Sequence, residues 1–229
     1  MNLLALETTT EACSVALVHG DQLLVRSQLA PRRHTELVLP MADELLAEAG
    51  ISRHALDAIA MGRGPGAFTG VRIGVALAQG MALALDLPVV AVSSLAALAL
   101  EAEPDDAAIL AVIDARMGEI YAANYRRNVQ GGLDLLMDEC VLKPDQLQLP
   151  QAEAWRVVGS GWTTYADILR ARLTGTLRAA NGDRYPQASR VAELAVPEFL
   201  AGHAVAPESA LPVYLRDHVA LTLAEQKRR

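Results

Sequence analysis

Cysteine is almost absent from this chain of 229 residues. The two cysteines, Cys13 and Cys140, lie far apart in sequence and form no CxxC pair. This usage excludes a disulfide framework and is typical of a reduced cytosol. At 52% hydrophobic and 21% charged residues, the chain can bury a substantial core, as one large domain or two small ones.

A membrane segment and an export signal are also missing from the sequence. No apolar stretch is both long enough and uncharged enough to be predicted as a bilayer span. The N-terminus begins directly with the strand-like LLAL (3–6), without a basic region or a cleavage site. We therefore expect a cytoplasmic protein without a membrane partner.

Positive charge is scarce, and the formal net charge is −7. The basic clusters are Arg32-Arg33 and the terminal Lys227-Arg228-Arg229, and we interpret both as solvated ends. A protein that binds RNA phosphates on its own carries a basic face. If this chain serves a nucleic acid, we expect another subunit to make most of the contacts, so that the nucleic acid is bound only indirectly.

Glycine is missing from the first predicted turn. Glu7-Thr8-Thr9-Thr10 separates the predicted strands Leu3–Leu6 and Ser14–His19, where sugar kinases and actin-like ATPases keep an acidic residue and a glycine-bearing phosphate loop. No glycine occurs from 7 to 19. The segment is either a turn capped by its own side chains or a threonine-rich phosphate site, in which case Glu7 and Thr8 would contact a nucleotide or tRNA.

Glycine is instead concentrated in Gly62–Gly80, GRGPGAFTGVRIGVALAQG, which holds six glycines. A strand-like run, Leu56 to Met61, precedes it, and an apolar helical pattern capped by Thr69 follows the loop. Glycines at such a junction either expose backbone N–H groups to an anion or let two backbones approach closely. Arg72, in the first turn of this helix, is a third candidate contact for a nucleotide or tRNA.

The predicted helix carries a stripe of small residues at every fourth position: Gly70, Gly74, Ala78 and Ala82. An interior glycine costs a helix about 1 kcal/mol relative to alanine, so the glycines need a structural reason. We interpret the stripe as the contact with another helix or strand, and we expect the larger residues of the helix to face its own sheet. Those residues are Ile73, Leu77, Met81 and Ala84.

The pattern strand, acid, turn, strand, hairpin, strand occurs twice. Leu3–Leu6 with Glu7 matches Ile109–Ile113 with Asp114, and the polar segment 101–106 separates the two copies. This internal repeat predicts a duplicated α/β fold of two lobes, each a mixed sheet flanked by helices. The predicted lobes are 1–103, joined by the C-terminal segment 211–229, and 104–210.

With these features the chain resembles the bacterial TsaB (YeaZ) family, a branch of the actin-like ATPase (ASKHA) superfamily. The matching segments span the chain: LLALETTTEACSVAL (3–17), RHTELVLPMADELL (33–46), GRGPGAFTGVRIG (62–74), DARMGEIYAA (114–123), GSGWTTY (159–165) and LPVYLRD (211–217). Members commonly have aspartate at the position of Glu7, a change that keeps the charge.

The resemblance implies a role in forming N6-threonylcarbamoyladenosine at position 37 of tRNAs that read codons beginning with A. TsaB is a non-catalytic paralogue of the transferase TsaD. It binds and activates TsaD through the first two helices, is joined by the ATPase TsaE, and self-associates when alone. ATP is used by the partner subunits, and TsaB binds no catalytic cofactor.

The resemblance also implies which residues meet the partner. They are Thr35, Glu36, Leu37, Met41 and Leu45 on the first helix and Gly70, Val71, Gly74, Ala78 and Ala82 on the second. Position 38 is not counted among these interface residues, because it holds a valine, Val38, and not a leucine.

The sequence departs from TsaD where that paralogue has an HxxxH metal-binding pair. The equivalent positions here are Ser94 and Leu98, and the five histidines form no other pair at ligand spacing. We therefore predict no catalytic residue and no metal site. The alternatives are a small phosphotransferase of the same superfamily, a metallopeptidase, or a self-associating module without a tRNA role.

Overall fold

The structure, a computed structural model, describes residues 1–216. The first half of the chain forms a mixed sheet with the strand order β3-β2-β1-β4-β5. Its strands are β1 (Asn2–Glu7), β2 (Ala12–His19), β3 (Gln22–Leu29), β4 (Ala58–Gly62) and β5 (Val89–Val92). The first three strands are antiparallel neighbours, and β4 and β5 add in parallel to β1. Both faces of β1 are buried, which explains its continuous apolar run.

The second half repeats this topology with the strand order β10-β9-β6-β7-β8. Its strands are β6 (Ala108–Arg116), β7 (Glu119–Arg127), β8 (Leu133–Leu142), β9 (Ala154–Val158) and β10 (Thr176–Asn181). Again three strands form an antiparallel meander and two add in parallel. The duplicated α/β fold predicted from the repeat is confirmed, although β10 was not anticipated.

Two helices cover one face of the first sheet. They are α1 (His34–Ala49) and α2 (Phe68–Leu85), and their buried residues share a core with side chains of β1, β2 and β4. Gly50 and Asp86 end the two helices in the left-handed conformation. The threonine cap predicted for α2 is wrong, because the helix begins before Thr69; neither helix has a side-chain cap bond at its start.

Two helices pack outside the sequence ranges predicted for their lobes. Helix α3 (Ser94–Ala99) belongs to 1–103 by sequence but packs on the second sheet. Helix α4 (Ser160–Arg172) covers the opposite face of that sheet, while α5 (Ala188–Leu200) crosses back to the first sheet and buries Val191 and Ala192 against it. The second lobe therefore ends before α5, and the two lobes exchange a helix each.

The described part of the C-terminal segment also returns to the first lobe. The amide of Val213 donates a hydrogen bond to the carbonyl oxygen of Arg63, 2.9 Å away. Residues 217–229 of the predicted 211–229 segment lie outside the described residues.

The expectation about membrane-length segments also needs correction. By length and composition alone α2 could cross a bilayer, with a mean hydropathy of 1.5 over 18 residues. It nevertheless buries six of its residues in the structure. We interpret it as a core helix whose outer side is also apolar.

Truncation of Val191 tests the position of α5. We expect Val191→Ala to lower the free energy of unfolding by about 1–3 kcal/mol, because it opens a cavity between α5 and the first sheet. Leu200→Ala on the same helix is the control, since Leu200 is exposed. Denaturant unfolding measures both, and equal stabilities for the two variants would contradict the packing described here.

Candidate functional site

Glu7 is enclosed at the turn between β1 and β2. Its Oε1 accepts a hydrogen bond from the Thr9 amide at 2.6 Å, and its Oε2 accepts one from the Ser94 hydroxyl at 2.9 Å. Burial raises the pKa of Glu7 above its ordinary value, because the charged form loses its hydration; the hydrogen bonds from Thr9 and Ser94 act in the opposite direction. The carboxyl group joins β1 to α3 and has no exposed surface in this structure, so the structure gives no support to the predicted contact of Glu7 with a nucleotide or tRNA.

Thr8 is equally buried and holds the turn against α2. Its Oγ1 donates a hydrogen bond to the carbonyl oxygen of Gly70 at 2.8 Å. A Cβ at Gly70 would overlap the Thr8 carbonyl oxygen, and a Cβ at Gly74 would lie 2.6 Å from Thr8 Oγ1. The structure therefore gives no support to a ligand contact at Thr8, and the two glycines leave the space that this turn occupies.

The residues predicted as the partner face of α2 are consequently covered by the chain itself. The close approach to the small-residue stripe is made by the chain's own turn and sheet. The predicted interface residues that are buried in this way are Gly70, Val71, Gly74, Ala78 and Ala82. The larger residues that were expected to face the sheet lie instead at the sides of the helix or on its outside. They are Ile73, Leu77, Met81 and Ala84.

The outer face of α2 is apolar and open. We define it as the face formed by Ile73, Ala76, Leu77, Gly80, Leu83 and Ala84, of which Ile73 and Leu77 are half-buried and the others exposed. Leu83 is 74% exposed, and a Cβ at Gly80 would meet no atom within 4 Å. Ala76, Gly80 and Ala84 recur at every fourth position, so a second helix could approach the backbone closely along this line. Contiguous apolar exposure of this kind marks interaction surfaces.

A groove between α1 and α2 continues the outer face. It encloses a cavity of about 160 Å³, bounded mainly by apolar side chains of the two helices. Those side chains include Leu39, Ala42 and Leu46 of α1 and Met81, Ala84 and Leu85 of α2. The groove therefore offers apolar surface from both helices to one side of the molecule.

The interface residues predicted on α1 are divided between the surface and the core. Met41 and Leu45 are buried in the core and offer little surface to a partner. Position 38, which was not counted as an interface residue, is Val38, and its side chain is fully buried among the core residues of the first lobe. The exposed leucine of α1 is instead Leu39. The remaining predicted residues are Thr35 and Glu36, which are exposed, and Leu37, which is half-buried.

Arg72 lies at the N-terminal end of the outer face, among exposed aromatic rings. Its guanidinium carbon is 3.6 Å from the centroid of the Phe68 ring, and its Nε donates a hydrogen bond to the Tyr214 hydroxyl at 2.9 Å. Phe68 and Tyr214 border a cavity of about 510 Å³. Of the three candidate contacts, only Arg72 presents its functional group at the surface.

The cleft between the lobes is crossed by an ion pair. Arg116, from the second lobe, contacts Glu11 of the first lobe at 2.9 Å, and a further bond at 2.9 Å joins it to Asp114. The cleft encloses about 290 Å³ beside Thr9 and Thr10. Its two arginines, Arg116 and Arg216, are already paired with carboxylates, and its turn has no glycine, so the structure favours a capped turn over a phosphate loop.

The positions equivalent to the metal-binding pair lie in the interior. Ser94 and Leu98 are both fully buried on α3, and Ser94 is bonded to Glu7. Over residues 1–216, no group of three or more His, Cys, Asp or Glu side chains is arranged to hold a metal ion.

Comparison with known proteins identifies the family. The sequence model described as "TsaD: tRNA N6-adenosine threonylcarbamoyltransferase" matches residues 25–222. The Escherichia coli tRNA threonylcarbamoyladenosine biosynthesis protein TsaB is 42% identical over 226 residues, which cover 96% of each chain. The Haemophilus influenzae protein of the same name is 41% identical over 96% of this chain and 95% of its own. The chain belongs to the TsaB family.

A solved structure supports the assignment of the TsaB-family fold. YeaZ from Pseudomonas aeruginosa superposes with a TM-score of 0.86 at 44% sequence identity, covering 93% of this chain and 99% of that one. The likeness therefore extends over both lobes.

The aromatic pair and the exposed leucines were missed by the sequence analysis. Phe68 and Tyr214 are far apart in sequence, so their shared contact with Arg72 depends on the returning C-terminal segment. Leu39 and Leu83 lie in helices that are apolar on several sides. Only Leu83 had a signal in the sequence, because α2 is more apolar than a helix with one face in solvent normally is.

Two glycine substitutions test the assignment of the faces of α2. Gly70→Ala should lower the free energy of unfolding, because the new Cβ collides with the Thr8 backbone. Gly80→Ala should raise it by about 1 kcal/mol, because alanine is the better helix former and the space is open. Denaturant unfolding of the two variants gives the signs, and a stabilising Gly70→Ala would contradict the contact.

The raised pKa of Glu7 predicts a pH dependence. The folded state holds the Glu7 proton more tightly than the unfolded state, so this carboxyl group favours folding at low pH. That contribution is lost as the pH rises above the ordinary value of 4.5. The wild type should therefore lose stability relative to Glu7→Gln between pH 4.5 and neutral pH. Unfolding curves measured across this range should diverge, and parallel curves would show that Glu7 is not desolvated.

Proposed function

We propose that this chain is a non-catalytic subunit that binds and activates a TsaD-type transferase. The reaction it supports is the formation of N6-threonylcarbamoyladenosine at position 37 of tRNAs that read codons beginning with A. The names of the close relatives place those proteins in tRNA threonylcarbamoyladenosine biosynthesis. The match to the TsaD family model extends the relationship to the transferase itself.

The outer face of α2 is the observation that carries this proposal. It exposes apolar side chains around Gly80, beside the groove against α1. A helix pair of similar fold could lie along this face with its own side chains in the groove, which gives a four-helix contact. The partner in this proposal is TsaD, and the same face serves a homodimer when the chain is alone.

The enclosed polar groups favour a supporting rather than a catalytic role. Glu7, at the position of the acidic residue in related enzymes, is buried and bonded to Ser94. Arg116 in the cleft is bonded to Glu11 and Asp114. The chain accordingly holds no catalytic cofactor of its own in this proposal. ATP is used by partner subunits, including a TsaE-type ATPase, and tRNA is contacted mainly through TsaD in the cytoplasm.

A charge placed on the outer face tests the interface. Leu83→Glu should weaken binding to the TsaD-type protein of the same organism at least about tenfold, because a carboxylate would be buried against an apolar partner. Leu200→Glu is a matched control, since Leu83 and Leu200 are 74% and 73% exposed but lie on different faces. Isothermal titration calorimetry measures both affinities.

Unchanged affinity of Leu83→Glu would remove α2 from the interface. The role in the cell is tested separately by depleting the protein and measuring the modified nucleoside in tRNA hydrolysates by mass spectrometry. Loss of N6-threonylcarbamoyladenosine is the expected result. Normal levels would contradict the tRNA role even if the two proteins bind.

A further inference from the structure

Arg72 is a cation held in a fixed position at the surface. The Phe68 ring supports its guanidinium from one side, at 3.6 Å, and the Tyr214 hydroxyl accepts the bond from its Nε. Both rings are themselves about half exposed. An arginine stacked and bonded in this way loses little further freedom when it binds a planar anion, and its two Nη groups carry the donors for such a contact.

Arg72 forms no ion pair with any carboxylate in residues 1–216, unlike Arg216, which lines the same cavity, and Arg116, which lines the neighbouring cleft. Arg216 contacts Glu119 at 2.5 Å, and Arg116 contacts Glu11 at 2.9 Å. One guanidinium charge is thus available at this corner of the molecule, next to apolar ring surface that would exclude water from a contact.

Arg72 lies at the N-terminal end of the outer face of α2. Ala76 and Gly80 follow at successive four-residue intervals, so all three lie along one side of the helix, and all three are exposed. A helix that packs along Ala76 and Gly80 would therefore pass beside the Arg72 guanidinium. This continuity connects the cation to the partner surface rather than to the cleft between the lobes.

We propose that Arg72 binds a carboxylate of an acidic side chain on the partner helix and thereby fixes the register of the two proteins. This inference rests on the proposed function, because it assigns the chemistry of the partner at that same interface. A single carboxylate matches the one available charge and the paired Nη geometry. A phosphate ligand would need further cations, and the nearby arginines are already paired with acids.

Substitutions at Arg72 and Tyr214 test the contact by calorimetry with the TsaD-type partner. Arg72→Ala should lower the affinity about tenfold or more, since it leaves a partner carboxylate without its counter-charge. Arg72→Lys should recover only part of the loss, and Tyr214→Phe should cost a few-fold by freeing the guanidinium. Arg170→Ala is the matched control, because Arg170 also stacks on an aromatic ring, Trp162, on a different helix.

A scan of the partner's acidic residues identifies the other half of the pair. One Asp or Glu should show coupling with Arg72 in a double-mutant cycle, and exchange of the two charges should restore binding. The affinity of the wild type should also fall more steeply with salt than that of Arg72→Ala.

The outcomes separate this inference from the proposed function. If Leu83→Glu weakens binding and Arg72→Ala does not, the interface stands and the role of Arg72 is overturned. If neither variant weakens binding, the outer face of α2 is not the interface and the role of Arg72 falls with it. The proposed function itself fails if the wild type does not bind the TsaD-type partner or if depletion leaves the modified nucleoside at normal levels. Two further results would overturn the ion pair. One is the absence of coupling between Arg72 and any acidic residue of the partner. The other is a loss of ADP or tRNA binding in Arg72→Ala, measured in the absence of the partner. An Asp217→Asn variant that reproduces the loss would assign Arg72 to the chain's own C-terminal segment and would also overturn the proposal.

Discussion

The contact between the β1–β2 turn and the glycines of α2 determines how the first lobe can meet other molecules. Thr8 enters the space left by the missing side chains of Gly70 and Gly74 and bonds to the helix backbone. Because the turn fills this space, no ligand and no second protein can use it. The inner side of α2 packs within its own lobe, so the outer side is the one that a partner could contact.

The two lobes are held together by charges and by exchanged helices. The linker between them carries acidic residues that are bonded to arginines of later elements: Glu101 contacts Arg190 at 2.8 Å, and Asp105 contacts Arg156 at 2.9 Å. Bonds from its arginine partners hold the pKa of Asp105 below its usual value, against the opposing effect of burial. With α3 packed on the second sheet and α5 on the first, these pairs favour a scaffold of fixed shape, which suits a protein that presents a surface to a partner.

Local patterns in the sequence were sufficient to predict the duplicated fold and most of its strands, because the alternation, the turns and the repeat are encoded over short distances. The destination of α5 was not predictable in this way, since its amphipathic pattern does not say which sheet it covers. The same limit applies to α2. Its small-residue stripe correctly indicated a close approach, but glycines that admit the chain's own turn look identical in sequence to glycines that admit a partner. Glu7 was recognised as a special acid, and only the structure places it beside Ser94.

Hydroxyl-radical footprinting of the chain with and without a saturating TsaD-type partner tests the central claim most directly, because it maps the covered surface without any substitution. Leu83 and Met81 should become protected in the complex, whereas Leu200 and the exposed Met117 should keep the labelling rates of the free protein. A complex in which Leu83 is labelled as fast as in the free chain would contradict the assignment of the outer face of α2 to the partner.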